Sequence, residues 1–99
     1  MGGGIDITDA KIVTRLQCAA STYYAVDMGM QASDMHWVVA FSTNGYERGT
    51  VSGGVYTKYD AKWNNAVESY GVHIQKVQGT SVYVMQDVSG SLTINVMVG

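Results

Sequence analysis

The feature that most restricts what this chain can fold into is a change of period after Gly71. Beyond it the apolar residues recur at every second position: Val72 and Ile74, then Val82 and Val84, then Leu92, Ile94, Val96 and Val98 set against Thr93 and Asn95. A period of two is the mark of a strand with one face covered. Gly79-Thr80 and Ser89-Gly90 stand at the bends, so the segment reads as three consecutive antiparallel strands. Whatever else the chain does, its last third must build sheet.

Upstream the signals are mixed. Met35 to Thr43 is rich in bulky and β-branched residues, and Trp37-Val38-Val39-Ala40-Phe41 is a continuous apolar run of the kind found in a strand covered on both faces. Asn44-Gly45 predicts a type I′ hairpin, because both residues tolerate positive φ, and Tyr46 to Ser52 is the returning strand. Gly49 predicts a bulge and Gly53-Gly54 a corner. Two other stretches carry helical spacing. From Ile12, the apolar positions Val13, Leu16, Ala19, Ala20, Tyr23 and Tyr24 fall three and four apart. Asp6 or Thr8 would cap this first helix, Asp9 would favour its first turn, and Gly29 would stop it. Thr57 and Asp60 have the spacing of a capping box ahead of Tyr59, Trp63, Ala66, Val67 and Tyr70, with Gly71 closing a second helix. The expected order is therefore α-β-β-α-β-β-β, an α+β fold with a five-stranded antiparallel sheet and two helices.

The 99 residues suit one domain, expected over 6–99 behind a flexible leader at 1–5. Only 14 % of the residues are charged while 46 % are hydrophobic, which excludes disorder and leaves a surface rich in Gly, Ser, Thr, Asn, Gln and Tyr. Such a surface hints at an interface. Eight acids against six bases, with no run of either sign, argue against a nucleic-acid grip, which needs clustered Lys and Arg. No apolar run approaches the ~18 residues of a membrane span, and no secretory leader is evident. A cytoplasmic protein is the expectation. Cys18 is the single cysteine, so no internal disulfide forms, and its apolar neighbourhood points to a buried thiol. Met28, Met30 and Met35 read as gap-fillers of a core, or as an adaptable contact surface.

This succession of elements resembles the profilin-like folds, and most closely the roadblock/LC7 domain, across residues 6 to 98. The resemblance is carried by V-V-A-F-S-T-N-G, by the helix ending Ala66-Val67-Glu68-Ser69-Tyr70-Gly71, and by the last hairpin, Tyr83 to Leu92. It departs from the family in lacking a closing third helix. What it implies is a non-catalytic scaffold, usually a dimer joined through the second helix and the strand after it, often serving small GTPases or motor complexes. The dimer surface would then fall on Trp63, Val67, His73 and Gln75. A second and local resemblance is that of Gln75-Lys76-Val77-Gln78-Gly79 to the Q-x-V-x-G hairpin of cystatins. It implies an inhibitory hairpin inserted into a cysteine-protease cleft. The cystatin Pro-Trp hairpin has no counterpart, since the chain contains no proline.

For chemistry the residues offer little. Asp34-x-His36 could share a strand face, but two ligands do not make a zinc site. Ser42 and Ser52 have no His and acid indicated beside them. Asp60 and Glu68 stand too far apart on a helix to form a catalytic pair, and Asp60 reads as a cap. No enzyme, metal or cofactor is expected. Seven Tyr and two Trp supply the stiff amphipathic surfaces that dominate binding hot spots. Of the adjacent Tyr23 and Tyr24, one should sit at the edge of the covered face. The leading expectation is a protein-binding adaptor or regulator that associates with itself. The alternatives are a small inhibitor, such as a virus- or phage-encoded blocker of a host enzyme or defence complex, and a small-ligand sensor with a pocket between the first helix and the sheet.

Overall fold

The computed structural model describes residues 11–64, 71–88 and 90–99, with 11–18 as backbone. Valine, isoleucine, threonine and the aromatic residues populate nearly every described segment, and side chains of this type fit a pleated, half-buried surface. The result is eight strands among the described residues: β1 (Lys11–Ala19), β2 (Tyr24–Asp27), β3 (Trp37–Phe41), β4 (Gly45–Ser52), β5 (Val55–Trp63), β6 (Val72–Gln78), β7 (Ser81–Gln86) and β8 (Ser91–Val98). One 3-10 turn, Ala32–Asp34, lies between β2 and β3. No α-helix occurs among the described residues.

Five strands form one antiparallel sheet in the order β1-β8-β3-β4-β5, and three form a second in the order β2-β7-β6. The two sheets close over one core. Val38, Ala40 and Val51, with Trp63 and Ile94, Val96 and Val98, come from the larger sheet. Val26, Val72, Ile74, Val77, Val82 and Val84 come from the smaller. Met28, Ala32 and Met35 fill the end where β2 leads to β3, and Met30 packs against them. The methionines there are gap-fillers. Each fully buried aliphatic side chain contributes about 1.5–3 kcal/mol.

The expected α+β fold with two helices is thus replaced by a two-sheet sandwich, and the reason is specific. In β1, Val13 pairs with Val96 and Leu16 with Ile94, so three residues of β1 span two of β8. In β5, Asp60 pairs with Arg48 and Lys58 with Gly49, leaving Tyr59 as an extra residue. A bulge of this kind inserts one residue and turns a spacing of two into three. The helical spacing read at Val13 to Leu16 and at Tyr59 to Trp63 was produced by strands with bulges. Ala61 and Trp63 alternate inward as strand residues do. The expected caps at Asp6, Thr8 and Asp9, and the helix end at Ala66 to Tyr70, lie outside the described residues. The element order that carried the roadblock resemblance is not the order observed, and the first helix expected to line a small-ligand pocket is, over its described residues, the strands β1 and β2.

Other expectations survive in altered form. Gly49 does sit at the β4–β5 irregularity, and a Cβ there would lie 2.2 Å from the Thr57 carbonyl oxygen. Gly53 and Gly54, at φ +57 and +76, make the two-residue turn from β4 to β5. Asn44-Gly45 does not form the expected type I′ turn: neither residue has positive φ, and β3 and β4 are joined by the three residues Ser42 to Asn44. Gly45 is required for another reason, since a Cβ would meet the Lys62 carbonyl oxygen at 2.2 Å. The three final strands are present, but only β6 and β7 pair with each other. β8 crosses to the larger sheet and lies between β1 and β3.

Candidate functional site

The β3–β4 hairpin lays out the outer face of the larger sheet. Phe41 pairs with Tyr46, Val39 with Arg48 and Trp37 with Thr50. β5 extends these rows with Lys62, Asp60 and Thr57, and β8 adds Asn95 and Met97 on the other side. Alternate residues of a strand face opposite ways. Val38 and Ala40 therefore go to the core, while Trp37, Val39 and Phe41 turn outward and remain only half-buried, as do Tyr46 and Met97. An open groove of about 460 Å³ runs between them, lined by Trp37, Val39, Arg48, Thr50, Tyr59 and Met97. Trp37 lies over the strand end because Gly99 has no side chain; a Cβ there would be 2.5 Å from its ring.

Arg48 is locked in place on this face. Its Nε donates to Asp60 Oδ1 at 2.6 Å and its Nη2 to Oδ2 at 3.3 Å. The Tyr46 hydroxyl donates to the same Oδ2 at 3.3 Å. The guanidinium lies 5.0 Å from the centre of the Tyr59 ring and 5.6 Å from that of Tyr46, a cation–π arrangement on two sides. Hydrogen bonding from Arg48 holds the Asp60 carboxyl below its ordinary range, and Asp60 raises the guanidinium in turn. Asp60 is an ion-pair partner and not the helix cap expected of it. Tyr59, the extra residue of the bulge, stands 72 % exposed beside the groove.

A second cluster joins the two sheets at one end. Glu47 of β4, only 3 % exposed, accepts a hydrogen bond from the Tyr56 hydroxyl at 2.8 Å. Its other oxygen faces His73 Nδ1 of β6 at 3.8 Å. His73 Nε2 lies 2.9 Å from Asp87 Oδ2, and a carboxylate there makes the ring nitrogen the donor. Asp87 Oδ1 accepts the Gly71 amide at 2.6 Å. Burial above all, and then the bond to Glu47, pushes the Tyr56 phenol far up. The chain Tyr56, Glu47, His73, Asp87 is a polar seam across the sandwich.

The structure separates the residues expected to form a dimer surface. Trp63 is buried in the core, His73 is half-buried in the seam, and Gln75 is exposed at an irregularity of β6. Gly71 links the first two: at φ +123, its Cβ would lie 2.9 Å from the Trp63 ring. Val67 and Glu68 lie outside the described residues, as does the side chain of Cys18. Gln75 to Gly79 does end a hairpin, in which Gln75, Lys76, Gln78 and Gly79 are exposed but Val77 points into the core. Its tip is tethered, because Ala32 donates to the Gly79 carbonyl at 2.7 Å and Met28 to that of Thr80 at 2.8 Å. Asp34 and His36 occupy the loop before β3, both exposed, and Ser52 is exposed at the end of β4. Tyr24 packs against the core while Tyr23 is exposed. Among the described residues no three His, Cys, Asp or Glu side chains could hold a metal together, and no helix is long and apolar enough to cross a membrane.

Sequence reasoning reached one part of the outer face, the doubly apolar run at Trp37 to Phe41. It missed Tyr46, Arg48, Tyr59, Asp60 and Met97 as partners of that run. The hairpin register would have supplied the first two: once Phe41 faces Tyr46, Val39 must face Arg48. Compared with protein-family models, curated proteins and solved structures, the chain matches none.

Proposed function

We propose that the protein is a non-catalytic binding module, an adaptor or regulator, whose outer sheet face docks another protein. One observation carries this reading. β3 has the sequence of a strand covered on both faces, yet the described residues cover only one, leaving Trp37, Val39 and Phe41 half-buried next to Tyr46, Met97 and an aromatic-clamped Arg48. Aromatic residues, Met and Arg at the centre of a face, with charge kept to its rim, is the composition of an interface. The rim charge here is Lys62 on the edge strand β5, exposed in the row of Phe41 and Tyr46. We place the module in the cytoplasm, since its single cysteine leaves it independent of an oxidising compartment.

The test is site-specific photo-crosslinking in the native cell. A photoreactive phenylalanine at Tyr59 or Val39 is expected to give discrete protein adducts. The same group at Ser33, exposed in the 3-10 turn, is expected to give none. Equal labelling at all three positions, or no adduct at Tyr59 and Val39, removes the outer face as a docking surface.

A further inference from the structure

We infer that the occupant of the outer face is a second copy of this chain, seated so that the exposed Tyr59 of each protomer enters the groove of its partner. This rests on the reading of the face as a protein-docking surface and names what docks there.

Three observations support the second copy. The first is complementarity within a single surface. Tyr59 is an aromatic knob, 72 % exposed, and the bulge sets it beside an apolar slot lined by Trp37, Val39, Thr50 and Met97. A two-fold interface needs such a self-complementary patch, where residue i of one chain meets residue j of the other and j meets i. The second is charge. Arg48 is neutralised within its own chain by Asp60 at 2.6 Å, so two copies bring no unpaired charge together at the centre, while Lys62 stays at the rim. The third is size. Five strands at about 4.8 Å spacing and some six residues at ~3.3 Å each present on the order of 500 Å² in plan. With the corrugation of the side chains this approaches the ~800 Å² per partner of a standard stable interface.

Burial would change little in the chain itself. Tyr59 already stacks on Arg48, so its ring is held at the slot before association, which lowers the ordering cost of binding. A tyrosine seated in a desolvated pocket is the typical hot spot, worth at least about 2 kcal/mol, or ~30-fold in Kd.

The experiment is sedimentation equilibrium from about 1 µM to about 1 mM on the wild-type chain, Tyr59→Ala and Val39→Lys, with circular dichroism of each to confirm folding. The wild type is expected as a dimer. Each variant is expected to weaken it by at least ~30-fold. Mixing Tyr59→Ala with Val39→Lys restores one knob in one groove, so the mixture is expected to associate more tightly than either variant alone. A wild-type chain that is monomeric at the highest concentration overturns the second copy. If photo-crosslinks from position 59 then reach a different protein, the docking face itself stands. A dimer indifferent to both substitutions overturns the second copy on this face, and an absence of photo-crosslinks from position 59 then removes the docking face as well.

Discussion

Glu47 is a carboxylate withdrawn almost wholly from water, and its neighbours are arranged to make that tolerable. Burying such a group without partners costs several kcal/mol. Here the Tyr56 hydroxyl donates to one oxygen at 2.8 Å and the His73 ring faces the other. The consequence for Tyr56 is a phenol that resists ionisation, through burial first and the adjacent carboxylate second. Because its folded pKa lies above the unfolded value near 10, the folded state binds the proton more tightly. Its contribution to stability is complete below about pH 10 and declines as the pH rises above it. Chemical unfolding followed across the alkaline range should show wild-type stability falling there, and Tyr56→Phe should flatten the fall while costing about 1–3 kcal/mol at neutral pH, the price of an under-bonded Glu47. An alkaline decline of the same steepness in both proteins would show that another group drives it.

At the scale of elements, β-bulges decide both what the chain forms and how far its sequence reveals it. The three final strands were legible because β7 and β8 keep strict alternation, with Val82, Val84, Ile94, Val96 and Val98 all facing the core, and β6 keeps it at Val72 and Ile74 before its irregularity at Gln75. β1 and β5 were not, because an inserted residue in each shifts the register and mimics a helical interval. The candidate site suffered the same obscurity. Trp37 to Phe41 announced two covered faces, and Arg48 follows from the hairpin register, but Tyr59 and Asp60 reach that face only through β5, whose spacing reads as helical. The cost of the β5 bulge is readable at Gly49, which must lack a Cβ because the Thr57 carbonyl passes 2.2 Å from where one would stand. Gly49→Ala is therefore expected to destabilise by about 1–3 kcal/mol in urea unfolding. Gly53→Asn, at φ +57 in open space, should stay within about 1 kcal/mol, because Asn tolerates that conformation. Equal losses at the two positions would mean that β4 and β5 are not pinned at Gly49.

For the whole molecule the question is what holds two sheets as one body. The chain passes between them from β1 to β2, β2 to β3, β5 to β6 and β7 to β8, so neither sheet can be assembled without strands distant in sequence. Most of the joining is apolar and non-directional: Val38, Ala40, Val96 and Val98 of the larger sheet share one core with Val72, Ile74, Val82 and Val84 of the smaller, and Met28 and Met35 belong to it. Such contacts favour closure but do not choose one seating of the sheets over another sliding by a residue. The polar seam does choose, because Glu47 of the larger sheet meets His73 of the smaller only in one register, and each would be left poorly satisfied in any other. A double-mutant cycle measures this directly. Glu47→Ala and His73→Ala should each lower stability by about 1–3 kcal/mol, and together by less than their sum, with a coupling of about 0.5–3 kcal/mol for groups in one network. Losses that add to within about 0.5 kcal/mol would mean that the two side chains act separately, and that apolar packing alone sets how the sheets are seated.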